Sequence, residues 1–277
     1  MRQIGRQLVV DSNALRSGSL RDFLARSRAN VAVLTDYAAM EAYKGDPLVG
    51  ISNSMEILGE FPAQVLVLKG TTAVCGLSGR AAGLRRRMID GKQSTGFGEF
   101  LRDIFKAREG DQRYVKSIER LGEDARAQME ELRLIASGLG AKVDELMKAY
   151  SDEERRVLRL DAPLTQAMLS KFAASVRHTA GVFYETHPSR PKWPSIEEFA
   201  NTFLFRAALC SHLMALRWAA VGGVAQKRPD RVRNDMVDVV FATYATFFDG
   251  ILTEDKMLSE LHAKALVVLR AIARQPR

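Results

Sequence analysis

The sequence predicts an α/β fold, a parallel sheet flanked by helices, carrying a large all-helical insertion. Two observations predict it. Short apolar runs alternate with helix-like segments over the first ninety or so residues, and the same alternation returns near the C-terminus after a long stretch without strand signals.

The first apolar run is Gln7 to Val10, ended by Asp11, as a buried strand would read. In SGSLRDFLARSRA a serine precedes a periodic segment with Leu20, Phe23 and Leu24 on one face, an amphipathic helix. VAVLT resumes strand character, YAAMEAYKG is rich in helix formers and ends in glycine, and QVLVLKG is a further short apolar run between Pro62 and Gly70. Strands separated by helices form right-handed βαβ units, whose product is a parallel sheet covered on both faces.

From about Gly91 to Gly223 the pattern is helical, in FGEFLRDIFKARE, YVKSIERLGEDARAQMEELRLIAS and LTQAMLSKFAASVRHTAGVFYE. Ser151 with Glu154, and Ser195 with Glu198, have the spacing of capping boxes. HPSRPKWP separates two helices with three prolines. After QKRPDRVRN, a helix from Asp235 leads into FFDGILTEDK, where an apolar run again ends in acid. The expected organisation is a discontinuous core, residues 1–90 and 226–277, with residues 91–225 as a helical insertion or subdomain.

Composition sets the class. A chain of 277 residues that is 47% hydrophobic and 27% charged can bury a substantial core and is not disordered. Forty-one Lys and Arg against 33 Asp and Glu give a formal charge of +8, which favours a polyanionic partner. Cys75 and Cys210 have no paired spacing and read as buried thiols of a reducing compartment. The N-terminus lacks a signal-peptide pattern, and the apolar segment Leu204 to Val221 contains Arg206, His212 and Arg217, so it reads as a buried helix, not a span. The expectation is a cytoplasmic protein with no membrane association.

Ligand sites of parallel α/β sheets lie beyond the carboxyl ends of the strands. Asp11 follows LVV directly, and Asp255 follows Ile251-Leu252 after Thr253 and Glu254. Glu41 sits on the helix after the second strand, and Asp235 and Asp238, three apart, share a face of a helix near its expected N-terminus. Carboxylates gathered in this way repel unless a divalent cation neutralises them. Oxygen ligands without a His or Cys set suit Mg2+ or Mn2+, ions that activate water and stabilise a departing oxygen in phosphodiester cleavage. Taken singly, each acid has a plainer explanation: Asp235 as a helix cap, Glu41 as a solvated side chain, Asp255 as the start of a turn.

At LVVDSNAL, the Glu41 helix, NDMVD and FFDGILTEDK the sequence resembles the PIN-like nuclease superfamily. The resemblance covers roughly half the chain and implies a three-layer core in which Asp11, Glu41, Asp235 and Asp255 are the catalytic acids. Asp11, Asp235, Asp238 and Asp255 are the implied metal ligands, with Asp238 competing with Asp235 for the third position. It implies that Thr253 positions a ligand or water and that Ser12 and Asn13 support the Asp11 turn, with products keeping a 5′ phosphate. The long helical stretch departs from compact family members. Pairing through helices is common in the family, so a homodimer is implied, and a protein inhibitor or regulator is a further expected partner.

Arg85, Arg86 and Arg87, and Lys227, Arg228, Arg231 and Arg233, form two basic runs at the ends of the insertion. They suit phosphate contacts, with Arg86, Arg228 and Arg231 as substrate-binding candidates beside Asn13 and Thr253; solvated loop arginines are the alternative. Phe199, Phe203, Phe205 and Trp218 read as core, Trp193 as the exposed aromatic, and the four histidines show no ligand spacing. GLSGRAAG lacks the Lys-Ser or Lys-Thr of a phosphate-binding loop. The expected function is a metal-dependent endonuclease, RNA favoured over DNA, of a toxin or defence system. The alternatives are a catalytically weak PIN-like scaffold that binds RNA or protein through its helices, and a phosphohydrolase with Asp11 as nucleophile, against which Asn13 counts because a second acid belongs there.

Overall fold

The computed structural model describes residues 5–160, 162–221, 223–224 and 227–274. Met1 to Ile4, and Gln226, where the sequence places the return to the core, lie outside them.

Four short strands form one parallel sheet in the order β3-β2-β1-β4: β1 (Gln7–Val10), β2 (Val31–Leu34), β3 (Val65–Val67) and β4 (Ile251–Leu252). Val9 pairs with Val33 on one side and with Ile251 on the other, so the central strand joins the two ends of the sequence. Val9, Val10, Ala32 and Val33 are fully buried. That explains why β1 and β2 read as unbroken apolar runs: a parallel strand covered on both faces has no solvent side to mark.

The helices are α1 (Gly18–Arg26), α2 (Asp36–Ala42), α3 (Pro47–Glu60), α4 (Thr71–Cys75), α5 (Leu84–Met88), α6 (Gly91–Arg108), α7 (Gln112–Ser137), α8 (Leu139–Lys148), α9 (Asp152–Arg159), α10 (Gln166–Thr186), α11 (Ile196–Phe199), α12 (Phe203–Ala220), α13 (Pro229–Ala245) and α14 (Lys256–Arg274). The chain forms two compact units. The sheet-bearing unit comprises Met1–Val74, Ala82–Glu130 and Tyr244–Ser259. The helical unit comprises Cys75–Ala81, Glu131–Thr243 and Glu260–Arg277. The sheet-bearing unit thus extends past residue 90, where strand signals cease. Phe97, Ile104 and Ala107 of α6 and Ile118 and Ala125 of α7 join the same buried cluster as Leu15, Leu24, Ile51 and Leu58. Loss of strand periodicity marks a change of secondary structure; the apolar faces of α6 and α7 decide which core they cover.

Gln64 fixes the β1–β2–β3 corner of that unit. Its buried amide nitrogen donates to the carbonyls of Leu24, Ser27 and Asn30 at 3.1, 3.0 and 2.7 Å, holding the end of α1 and the start of β2 to the entry of β3.

In the helical unit α12 packs on α8, α9 and α10 and buries more side chains than any other helix described there. The capping box at Ser151 and Glu154 forms in full. The one anticipated at Ser195 does not: its hydroxyl makes no cap bond and lies 3.4 Å from Glu197 instead. With α11 only a single turn long, nothing holds Glu198 in the reciprocal position. The helix expected from Asp235 begins at Pro229, whose fixed φ and missing N–H suit the first turn, so Asp235 and Asp238 stand in its interior. Cys210 is buried, as expected, but Cys75 is partly exposed, and neither forms a disulfide.

His212 lies in α12 at 3% exposure, edge-on to Phe172 with ring centroids 5.1 Å apart. Burial pulls its pKa down to about 4. A base harder to protonate folded than unfolded contributes stability that is full above its ordinary value of 6.5 and is lost as pH falls toward 4.

Two predictions follow from these contacts. Gln64→Ala strands three buried carbonyls and costs about 2 kcal/mol in denaturant unfolding, and Gln64→Glu, which sets a carboxylate against the same carbonyls, costs more; a Glu variant as stable as wild type would disprove this role. His212→Phe flattens the stability profile between pH 6.5 and 4 relative to wild type; parallel profiles would show that another group drives the acid limb.

Candidate functional site

The carboxyl ends of the four strands share one edge of the sheet, and at three of them the next residues are Asp11, Thr35-Asp36 and Thr253-Glu254-Asp255. Asp11 leaves β1 with extended backbone, and its N–H still bonds to the Leu252 carbonyl at 3.0 Å, so β1 and β4 stay paired to the edge. It precedes a 3-10 helix, Ser12–Arg16, yet its side chain does not cap that helix. The carboxylate instead accepts from the Thr253 hydroxyl at 2.7 Å, Ser12 at 3.3 Å and the Asn13 amide at 3.4 Å. At 2% exposure Asp11 forms no ion pair among the described residues, so hydroxyl and amide donors alone hold its charge.

Thr253 gives its hydroxyl hydrogen to Asp11 and accepts from the Asp255 N–H at 3.0 Å. Asp255 caps α14, one carboxylate oxygen accepting from the Leu258 N–H at 3.0 Å. Its plainer reading, the start of a turn, therefore becomes a helix N-cap. Gly250, immediately before β4, has φ of 138°, a conformation closed to most side chains, and its carbonyl accepts from Val9 at 3.0 Å. This turn delivers so short a strand in register. Glu254 hydrogen-bonds Ser17, the N-cap residue of α1, closing the same loop onto the N-terminal segment.

Asp11, Asp255, Thr253 and Asn13 are thus brought together in one hydrogen-bonded group from opposite ends of the sequence. Glu41 lies near the end of α2 in the same unit, partly buried and with its side chain engaged. Asp235 and Asp238 lie in the helical unit. There the Asp235 carboxylate receives the Trp218 indole N–H at 2.6 Å and the Lys227 ammonium at 2.9 Å, so its charge is met locally.

Asp36 was missed by the sequence reading. Its carboxylate accepts from the Thr71 N–H at 2.6 Å, the Thr71 hydroxyl at 2.7 Å and the Tyr37 N–H at 3.1 Å, and Thr71 in turn meets the Tyr244 hydroxyl at 3.0 Å. Burial pushes its carboxyl above the ordinary range, against the lowering effect of Thr71. The available signal was its place directly after VAVLT, the same strand-end position as Asp11.

Among the described residues no group of three or more His, Cys, Asp or Glu side chains is arranged to hold a metal ion. The donor chemistry at Asp11 and Asp255 is all oxygen, with one Asp255 oxygen left without a protein donor among the described residues. That pair fits the pattern of magnesium, which is commonly held by one or two carboxylates and completed by waters and substrate phosphate.

Arg85 is committed to Asp249 at 2.9 Å and lies over the Phe248 ring, while Arg86 is exposed on the same short helix. In the helical unit Arg228 and Arg231 are exposed. Phe203, Phe205 and Trp218 are core, as expected. Trp193 is 53% exposed and stacks on Tyr184 with centroids 4.8 Å apart.

Asp36 yields a test of the site's electrostatics. An acid whose pKa is raised by folding contributes stability that is full below its ordinary 3.8 and is lost as pH rises through the folded value. Asp36→Asn, which keeps an acceptor for Thr71, therefore raises the melting temperature at pH 7, and the gain shrinks as pH approaches 3.8. A gain of equal size at both ends would rule out ionisation as its source. Comparison with family models, with curated proteins and with solved structures yields no match for this chain.

Proposed function

We propose that this chain is a divalent-metal-dependent nuclease with a PIN-like core, hydrolysing phosphodiester bonds, RNA favoured over DNA. The observation that carries the reading is the Thr253 hydroxyl joining Asp11 to the Asp255 cap at the carboxyl edge of the sheet. A buried carboxylate held only by neutral donors lacks a counter-charge from the protein, which a divalent cation from solution would supply.

Asp11 and Asp255 are the residues that would hold Mg2+ or Mn2+. Bound there, the cation would activate water and offset the charge on the scissile phosphate. The chain's own residues do the rest. Thr253 and Asn13 fix the orientation of Asp11, since each donates to the same carboxylate oxygen, Oδ2, while Ser12 donates to Oδ1. The basic balance of the chain draws in a polyanion.

The absence of a three-ligand set among the described residues favours a second reading, a scaffold of PIN-like form that binds RNA or a protein without cutting. One experiment separates them. Labelled single-stranded RNA and DNA are incubated with Mg2+, Mn2+ or chelator, with wild type, Asp11→Asn, Asp255→Asn and Thr253→Val. The nuclease reading expects metal-dependent cleavage that falls at least roughly 100-fold in each Asn variant and about 10- to 100-fold in Thr253→Val. Binding without cleavage by all four proteins, in either metal, selects the scaffold.

A further inference from the structure

We propose that Arg16 is a phosphate-binding residue of this site, a preset guanidinium beside Asp11. The inference rests on the nuclease reading for its substrate, but the geometry stands on its own. Asp11 leads into the 3-10 helix Ser12–Arg16, and in such a helix side chains three apart lie one above the other. Asn13 and Arg16 therefore share a face. The Asn13 amide reaches the Asp11 carboxylate at 3.4 Å, which sets that face against the acidic site.

The guanidinium is anchored by neutral groups. Its Nε and Nη2 donate to the buried Ser54 hydroxyl at 3.2 and 3.0 Å, and Nη2 also donates to the Gly50 carbonyl at 3.3 Å. Ser54 and Gly50 are four residues apart on α3, one turn of the helix that packs against the 3-10 segment. An arginine has five N–H donors. These bonds use Nε and Nη2, so the two Nη1 hydrogens have no protein acceptor among the described residues, and no carboxylate there pairs with the group. Arg21 and Arg85, in the same unit, each spend their charge on an acid, Glu60 and Asp249. Arg16 does not, and it is exposed.

A fixed, uncommitted guanidinium is suited to a tetrahedral oxyanion. Its orientation is set before the ligand arrives, which lowers the entropy lost on binding, and the two Nη1 hydrogens remain to donate to phosphate oxygens. The neighbouring carboxylates repel a phosphodiester, and a cation on the same face offsets that repulsion where the backbone must approach. The ligand class is a nucleic-acid backbone phosphate. A purely structural role, clasping the 3-10 helix to α3, is the competing explanation, and it requires no charge.

The test is fluorescence anisotropy with 15-nucleotide single-stranded RNA and DNA in chelator, so that binding is read without cleavage, beside thermal melts of each protein. Arg16→Gln, which keeps a donor for α3 and removes the charge, is expected to bind about tenfold more weakly and to make the log–log salt dependence shallower by about one. Arg16→Lys, which keeps the charge without the fork, is expected to restore part of the affinity. Ser54→Ala frees the guanidinium from its anchor and is expected to weaken binding less than Arg16→Gln. Unchanged affinity and salt slope in Arg16→Gln, with wild type binding, overturns the proposal and leaves the nuclease reading intact. A lowered melting temperature with binding unaltered assigns the clasp role. Failure of wild type to bind either oligonucleotide at low salt overturns the Arg16 proposal, and cleavage in Mg2+ or Mn2+ decides the nuclease reading separately.

Discussion

The hydroxyl of Thr253 has one hydrogen to give, and it gives it to Asp11. That single donation decides the character of the sheet edge. A buried carboxylate placed before a short helix would ordinarily turn back to cap it, satisfying its own neighbourhood and presenting nothing. Here the turn of charge toward β4 leaves the 3-10 helix uncapped by Asp11 and binds the first strand to the last at the level of side chains as well as backbone. The same oxygen of Thr253 receives the Asp255 N–H, so the entry into α14 is set by the group that orients Asp11. Displace the hydroxyl and three elements lose a common reference.

Much of this was legible in the sequence, for identifiable reasons. Strands buried on both faces announce themselves as apolar runs, so β1 and β2 were readable, as was the partly buried apolar edge strand β3, and an acid directly after such a run has few places to go except the carboxyl edge. Asp11 and Asp255 were found in that way, and Thr253 through the family resemblance. Asp36 obeys the same rule, but as the first residue of α2 it also reads as an ordinary first-turn helix acid. The start of α13 was misread because charged residues around Pro229 hide an apolar face, and Pro marks a first turn only when the helix beyond it is already assumed. Arg16 was not legible at all. Its significance depends on what fails to pair with it, and no pattern in a sequence records the missing partner.

Asp235 shows the complementary case. In sequence it is one acid among several near the C-terminus; in the folded helical unit it is tied by an indole N–H and an ammonium, with Lys227 also lying 5.8 Å from the Trp218 ring centre. A carboxylate held in this way stabilises local packing and has little charge left to offer an ion. The contrast with Asp11, which has only neutral donors, separates two carboxylates that composition and spacing treat alike.

The pairing of β1 with β4 also orders events in time. The residues that complete the edge stand 242 positions after Asp11, so during synthesis the chain carries its first acid long before the threonine that orients it exists. The intervening residues leave the ribosome before the edge closes, and a chain broken off between Glu131 and Thr243 would keep the Asp11 strand without β4. On the nuclease reading, late closure would keep a chain that stops short of Thr253 from assembling the edge at which Asp11 is oriented.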